Sequence, residues 1–177
     1  MRILSRRAAA LTGTASLVAA LALWPSVAAA GHDGEGGSDG VIKGDVESDR
    51  EEEAFLDNDG DGLPSLGDSL VFSDLIDGVL GSGSGFGRCD LHEVDLTAGE
   101  ASLHCTVTFE VDDGSITTQG TTRVGLEPPA LLEPATWAIT GGTGEYLKAR
   151  GELRITGFEG AGLDFRVLST IRLHVHG

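Results

Sequence analysis

An all-β fold, built either as a sandwich or as a closed barrel, is what this 177-residue sequence predicts. From residue 69 onwards, short runs that alternate apolar and polar side chains are separated by clusters of Gly, Pro, Asp and Ser. There are roughly seven or eight such runs at regular spacing, and none shows the longer apolar period of a helix. Closure into a barrel would pair the edge strands that an open sheet exposes.

Two runs show this alternation most clearly. Side chains two apart face the same side of a strand, so each run has one face suited to a core. In the run at 102–111 that face carries Leu103, Cys105, Val107, Phe109 and Val111. In the run at 163–175 it carries Leu163, Phe165, Val167, Ser169, Ile171, Leu173 and Val175.

Cys89 and Cys105 are predicted to form a disulfide. They lie in strand-like runs, residues 88–96 and 102–111, on either side of a turn near Thr97. Because both are equally far from the turn, an antiparallel hairpin places them opposite each other, at a distance that a disulfide can bridge. The alternative is a pair of buried free thiols. The bridge is interpreted as structural, because the sequence has no Cys-x-x-Cys redox motif.

The first 30 residues have the three parts of a secretory signal peptide. Arg2, Arg6 and Arg7 precede an apolar run at 8–23, and small residues at 28–30 offer a cleavage site after Ala30. The run is shorter than the about 20 residues needed to cross a bilayer, which argues against a membrane anchor. The protein is therefore predicted to be secreted, and both the general secretory route and the twin-arginine route remain open.

The rest of the chain is strongly acidic. The formal net charge of the whole sequence is −16, and removal of the three arginines with the signal would make it about −19. Such a charge argues against nucleic acid and, after signal cleavage, an anionic membrane as partners. Residues 31–54 are rich in Gly, Asp, Glu and Ser and poor in apolar side chains, so they are predicted to be a disordered linker.

An acidic loop at residues 55–68 is the sharpest chemical signal. Its spacing fits the twelve-residue calcium loop of EF-hands, in which alternate oxygen ligands converge on one hard cation. The predicted ligands are Asp57, Asp59, Asp61, the carbonyl of Leu63, Ser65 and Asp68. Gly62 permits the bend, whereas Pro64 and the strand-like run that follows preclude the usual exiting helix. The alternative is a solvated Asp/Gly-rich linker without a metal.

The following segment, Gly141-Gly142-Thr143-Gly144-Glu145-Tyr146-Leu147-Lys148-Ala149-Arg150-Gly151, resembles a turn motif of the allene oxide cyclase and dirigent-type barrels. The runs at 67–74 and 105–120 resemble the first-strand and middle segments of the same families. The chain is thus similar to an exported bacterial member of this group over about residues 66–175. The resemblance implies a single eight-stranded antiparallel barrel, here at 69–177, and allows a homo-oligomer.

The resemblance also implies an activity class. Members of these families cyclise, or steer the coupling of, apolar small molecules without a redox cofactor, so a cyclase- or isomerase-like enzyme is one hypothesis. The resemblance assigns no catalytic residue; Tyr146 and Arg150 are candidates for ligand binding at a barrel mouth. The other hypothesis is a non-catalytic extracellular binding or interaction module stabilised by calcium. An open apolar cavity would favour the first, and a filled barrel the second.

Overall fold

The computed structural model describes residues 40–127, 129–160 and 164–175. Most of them belong to β-strands, which follow one another along the chain. The strands are β1 (Gly40–Leu56), β2 (Ser69–Gly78), β3 (Gly83–Asp95), β4 (Glu100–Val111), β5 (Gly114–Leu126), β6 (Pro129–Leu131), β7 (Ala135–Gly142), β8 (Arg150–Glu159) and β9 (Arg166–Val175). A single turn of 3₁₀ helix, Gly144–Tyr146, lies between β7 and β8. No helix in the described ranges is long and apolar enough to cross a membrane.

Eight of the strands form a closed antiparallel ring. The pairing order is β4-β3-β2-β1-β9-β8-β7-β5, and β5 pairs with β4 to close it. The short β6 pairs with β5 outside this ring, through Leu126 and Pro129. The predicted eight-stranded barrel is confirmed, and the sandwich alternative is wrong because closure leaves one continuous sheet.

The linker prediction for residues 31–54 was wrong from residue 40 onwards. Residues 40–54 form most of β1, which pairs with both β2 and β9 and so belongs to the barrel. The barrel therefore begins before residue 69. The interior side chains of β1 include Ser48 and Arg50, which are polar, so the strand lacks the apolar alternation that marks a core-facing strand. The predicted signal peptide and residues 31–39 lie outside the described residues.

The hairpin that carries the cysteines has the predicted register. Cys89 lies directly opposite Cys105 across β3 and β4. Their sulfurs are bonded, and their Cα atoms are 4.0 Å apart. β3 begins at Gly83, so it is longer than its apolar pattern indicated. The disulfide joins two neighbouring strands inside the barrel wall.

The interior is packed tightly at one end and open at the other. Val46, Ile116, Ile139 and Leu173 are almost fully buried and belong to one apolar cluster that fills the closed end. The side chains that share the face of Cys105 on β4 also point inwards, as the alternation predicted. The other end, towards the loop at 57–68, is not filled, and a cavity remains there.

Candidate functional site

The open end of the barrel holds a cavity of about 350 Å³. Its wall is formed mainly by apolar side chains from all eight ring strands, together with Pro129 of β6 and Pro64 of the loop at 57–68. The cavity reaches the surface beside Glu53 and Phe55, and Phe55 is 45% exposed. A space of this size and lining is typical of a small-molecule site.

Aromatic rings are concentrated around this cavity. The rings that line it are Phe55, Phe72, Phe109, Trp137, Phe158 and Phe165, and they include five of the six phenylalanines of the whole sequence. Phe158 and Phe165 contact each other edge to face, with ring centroids 5.0 Å apart. Flat faces and polarised edges of this kind complement an aromatic or otherwise planar ligand.

One ion pair is buried in the aromatic wall. Arg50 and Asp74 are cross-strand partners on β1 and β2, and the side chain of each is 5% exposed. Arg50 Nε–H donates to Asp74 Oδ1 over 2.6 Å. The guanidinium also lies 4.1 Å from the ring centroid of Phe72 and 5.5 Å from that of Phe165. These contacts hold the arginine against the wall.

A β-bulge brings a third charge to the same face. In a regular strand, Arg50 and Glu53 would point to opposite sides. The β1–β2 register shifts between Arg50 and Glu52, which leaves Glu51 as the extra residue. Bulges re-aim the side chains that follow them, and here Glu53 lies inward, where its Oε2 accepts a hydrogen bond from Arg50 Nη1. The Glu53 side chain remains 42% exposed at the cavity mouth.

The Asp74 carboxyl is chemically the most perturbed group of the cavity. Burial raises its pKa above the ordinary value, and the favourable charge of Arg50 only partly opposes this effect. A carboxyl whose pKa is raised can hold a proton at higher pH and can exchange it with a bound molecule. Because Asp74 lines the cavity, this exchange would take place where a ligand is enclosed.

Glycines give two of the aromatic rings their positions. A Cβ atom at Gly87 would lie 2.2 Å from Cζ of Phe72, and one at Gly120 would lie 2.1 Å from Cδ1 of Trp137. The two rings therefore lie over strand positions that have no side chain. Trp137 is further held by its indole N–H, which donates to Oγ1 of Thr122 over 2.9 Å. These contacts shape the wall without filling the cavity.

The structure brings three of the predicted calcium ligands together. Carboxylate oxygens of Asp57, Asp59 and Asp61 lie within 4.8 Å of one another. The Asp57 carboxylate accepts the N–H groups of Gly62 and Gly60, and these bonds lower the pKa of Asp57. Gly62 has a φ of +80°, so it makes the bend that the sequence predicted for it. The carboxylate oxygens of these three residues are hard ligand atoms of the kind that calcium prefers.

The other three predicted calcium ligands, Ser65, Asp68 and Leu63, are not part of this group of three carboxylates. The Ser65 hydroxyl lies 3.0 Å from Asp59 Oδ2 and 3.1 Å from Asp68 Oδ2. Asp68 is fully buried outside the aspartate triad, and its carboxylate accepts the N–H groups of Asn58 and Ser65, which closes the loop. Leu63 is exposed, and its N–H donates to Asp61 Oδ1.

The barrel fold is shared with proteins of known structure. No family model matches the chain, and no curated protein matches it. Among solved structures, pyocyanin demethylase is 30% identical over 75% of this chain and 98% of that one, with a TM-score of 0.55. The pterocarpan synthase dirigent proteins PsPTS1 and GePTS1 share its fold at 14% and 16% identity, covering 79% and 78% of this chain and 97% and 90% of theirs, with TM-scores of 0.57 and 0.54.

The chain belongs to the family of pyocyanin demethylase, among the dirigent-like β-barrels. There is a structural reason for glycine in the turn that carried the family resemblance. Gly144 has a φ of +61°, and a Cβ atom there would lie 2.2 Å from the carbonyl oxygen of Asp113. Thr143 N–H donates to the carbonyl of Ser115 over 2.9 Å. The motif thus packs the β7–β8 connection against the β4–β5 hairpin of this dirigent-like barrel.

Tyr146 and Arg150 do not line the cavity. Tyr146 is buried in the apolar cluster at the closed end, where burial raises the pKa of its hydroxyl. Arg150 is exposed, and its Nη1 donates to the carbonyl of Ala149. Their role in ligand binding stays a prediction. Other residues line the cavity of this family member.

The sequence interpretation missed Arg50, Glu53 and Asp74. A signal for Asp74 was present, because it occupies the same face of its strand as Leu70, Phe72 and Ile76, and a carboxylate on a core-facing position is uncommon. Arg50 and Glu53 gave no such signal, since the bulge at Glu51 breaks the alternation. The polar part of the site in this dirigent-like barrel therefore depends on the register in which β1 pairs with β2.

Proposed function

We propose that this protein is an enzyme that encloses an aromatic or otherwise apolar small molecule in its barrel and promotes a reaction of that molecule. The observation that carries the proposal is the cavity of about 350 Å³, lined by aromatic rings and by a buried Arg50–Asp74 pair. A filled barrel would have favoured the non-catalytic module instead.

Two physical effects would supply the rate enhancement. Enclosure between aromatic walls holds a flexible or reactive molecule in one conformation, which lowers the entropic part of the barrier. Asp74, with its raised pKa, would give a proton to the ligand or take one from it. Arg50 would act as a positioning residue, because it fixes the Asp74 carboxyl through Nε.

Relatives with solved structures support a small aromatic substrate. Pyocyanin demethylase acts, as its name says, on pyocyanin, and this chain covers 98% of it at 30% identity. Pyocyanin is therefore the first compound to test. The likeness to the dirigent proteins concerns the barrel fold alone and does not indicate a substrate.

Quenching of tryptophan emission tests whether the cavity binds such a ligand. Trp137 lines the cavity, and Trp24→Phe removes the emission of the other tryptophan of the sequence. Pyocyanin and acridine are expected to quench Trp137 saturably. Leu103→Phe, which adds volume to the cavity wall, should weaken this binding at least about tenfold.

The matched control is Thr106→Phe, which adds the same ring to an exposed position of the same strand. It should leave binding unchanged. Absence of saturable quenching by any aromatic probe, or equal effects of the two variants, would overturn the proposal. Product analysis after incubation with pyocyanin then tests catalysis, and Asp74→Asn should slow turnover more than it weakens binding.

We further propose that the loop at 57–68 binds calcium and orders the entry into β2. The convergent oxygens of Asp57, Asp59 and Asp61 support this second role. Calcium is expected to raise the thermal midpoint of the full chain, and Asp59→Asn should abolish the shift, whereas Asp112→Asn, an exposed charge change in another turn, should keep it. Calcium stabilisation without any aromatic binding would instead favour the non-catalytic module.

We also propose that the protein is exported. The support is the signal-like composition of residues 1–30. N-terminal sequencing of protein recovered from the culture medium should begin at Gly31. Recovery of the uncleaved chain from the cell interior alone would contradict export.

A further inference from the structure

The Cys89–Cys105 disulfide forms part of the cavity wall. Both cysteines are among the residues that line the cavity, and both occupy buried positions of their strands. Cys105 shares its face of β4 with Leu103 and Val107, which line the cavity as well. Side chains on this face point towards the barrel interior, so the bonded sulfurs are turned towards the enclosed space.

The neighbours of the disulfide belong to the same wall. Cys89 lies opposite Leu70 of β2, and Cys105 lies opposite Gly120 of β5. Gly120 has no side chain, and the ring of Trp137 lies over it. Leu70 and Trp137 both line the cavity. A molecule that enters the barrel and contacts this wall therefore comes close to the disulfide.

The disulfide is covered from the outside. Cys89 is only 4% exposed and Cys105 only 2%. β3 and β4 each pair with a neighbouring strand on both sides, so the bond does not lie at a sheet edge. The rate of thiol–disulfide exchange depends on access to the sulfurs. The mouth of the cavity is therefore the route by which a reductant would reach them in the folded protein.

We infer that this disulfide is a redox-reactive site of the cavity, which small uncharged thiols reach through the mouth and which a molecule bound in the cavity shields. The net charge of −16 slows the approach of anionic reductants. The reactive site follows from the position of the disulfide, whereas its shielding rests on the proposed function.

The reaction is an ordinary thiol–disulfide exchange. A thiolate of the reductant attacks one sulfur of the disulfide, the bond between Cys89 and Cys105 breaks, and a mixed disulfide forms. A second thiol of the reductant then displaces the protein cysteine. Two electrons and two protons pass to the two cysteines, and the reductant leaves as its own disulfide. Occupancy of the cavity thus controls the redox state of the protein.

Reduction of the folded protein by dithiothreitol at about pH 8 tests the reactive site. The released thiols are alkylated and counted by mass spectrometry. Leu103→Phe adds a ring to the inner face, two positions from Cys105, and should slow reduction at least about tenfold. Thr106→Phe is the matched control, because it adds the same ring to an exposed position beside Cys105. It should leave the rate unchanged.

Urea distinguishes entry through the mouth from reduction of the unfolded chain. At urea concentrations below the unfolding transition, the rate of reduction through the mouth should change by less than about twofold. Reduction that requires global unfolding would instead accelerate steeply with urea, because unfolding becomes more favourable in proportion to its concentration.

Acridine tests the shielding in the Trp24→Phe background. At a concentration that saturates the quenching of Trp137, acridine should slow reduction at least about tenfold. Half-maximal protection should occur at the same acridine concentration as half-maximal quenching, because one bound molecule causes both effects.

The results separate the reactive site from the proposed function. Resistance of the folded protein to dithiothreitol, a steep acceleration by urea, or equal effects of Leu103→Phe and Thr106→Phe would overturn the reactive site. Acridine that quenches Trp137 without slowing reduction would overturn the shielding and leave the proposed function standing. Absence of quenching by any aromatic probe would overturn the proposed function and the shielding, and would leave the reactive site standing.

Discussion

Arg50 and Asp74 face each other directly across β1 and β2, inside a wall that is otherwise mostly apolar. Arg50 Nε lies 2.6 Å from Asp74 Oδ1. Transfer of two charges from water into such a wall costs several kcal/mol, which their attraction and hydrogen bond must offset. The pair therefore gives the cavity a defined polar position. Its contribution to stability shows only when one partner is removed.

Removal of Arg50 alone is expected to be strongly destabilising. Arg50→Met leaves the buried Asp74 carboxylate without its partner, so the free energy of unfolding should fall by about 3–5 kcal/mol. The double variant Arg50→Met/Asp74→Leu should recover most of this loss, because neither charge is then buried. Urea denaturation measures all three proteins.

Arg166→Met is the control for this series. Arg166 pairs with Asp49 on the barrel surface, where its side chain is 42% exposed. Exposed pairs contribute little, so the loss should stay below about 1 kcal/mol. A double variant no more stable than Arg50→Met would contradict the role assigned to the buried pair.

Stability should depend on pH through Asp74. Burial raises the pKa of this carboxyl above 3.8. Between 3.8 and the raised value, the folded protein holds a proton that the unfolded chain has lost, so the free energy of unfolding falls as pH rises through this window. Asp74→Asn cannot titrate there.

The measurement is the difference in unfolding free energy between the unmodified protein and Asp74→Asn across the acidic range. The unmodified protein should lose stability relative to the variant as the pH increases above about 4, and the difference should level off once the raised pKa is passed. A difference that moves in the opposite direction would mean that attraction to Arg50 outweighs burial.

Gly87 should not accept a side chain. A methyl group there would lie 2.2 Å from Cζ of Phe72, so Gly87→Ala must displace this ring, whose centroid is 4.1 Å from the Arg50 guanidinium. We expect a loss of about 1–3 kcal/mol in unfolding free energy, together with weaker binding of aromatic probes. Gly157→Ala is the matched control, since its methyl group would meet only Leu168 Cδ1 at 3.8 Å. Equal effects of the two substitutions would refute the steric explanation.

The disulfide should contribute through the unfolded chain. Cys89 and Cys105 are separated by 16 residues, and a loop of this size corresponds to about 3 kcal/mol of stabilisation. Cys89→Ala/Cys105→Ala should lower the unfolding free energy by about this amount. Adding a reductant to the unmodified protein during unfolding should give the same result, and the double variant should not respond to the reductant.

Much of the wall could be predicted from local pattern. The inward positions of Cys105, Val107 and Phe109, and the register that pairs Cys89 with Cys105, follow from two-residue alternation and a short turn. Both are properties of neighbouring residues in one hairpin. Even the acidic loop could be recognised, because its acidic side chains lie close together in sequence.

β1 could not be recognised as a strand from the alternation of apolar and polar side chains. Val46, Ser48 and Arg50 are its buried positions, and only the first is apolar. A strand that faces a partly polar cavity loses the contrast between its two faces, so its sequence is similar to that of a solvated linker. Its place in the barrel depends on pairing with β2 and with β9, whose residues lie more than a hundred positions away.

Alternation, the turn and the cysteine spacing thus let the sequence specify an all-β fold with a bridged hairpin, and the resemblance of the glycine-rich turn implied that the fold is a barrel. The cavity and its charges could not be derived in this way. A cavity exists because the interior side chains of all the strands together fill less volume than the closed ring encloses. The meeting of Arg50, Glu53 and Asp74 depends on an unpaired residue, Glu51, in a register set between two strands. Both are properties of the assembled barrel, since no single strand contains them.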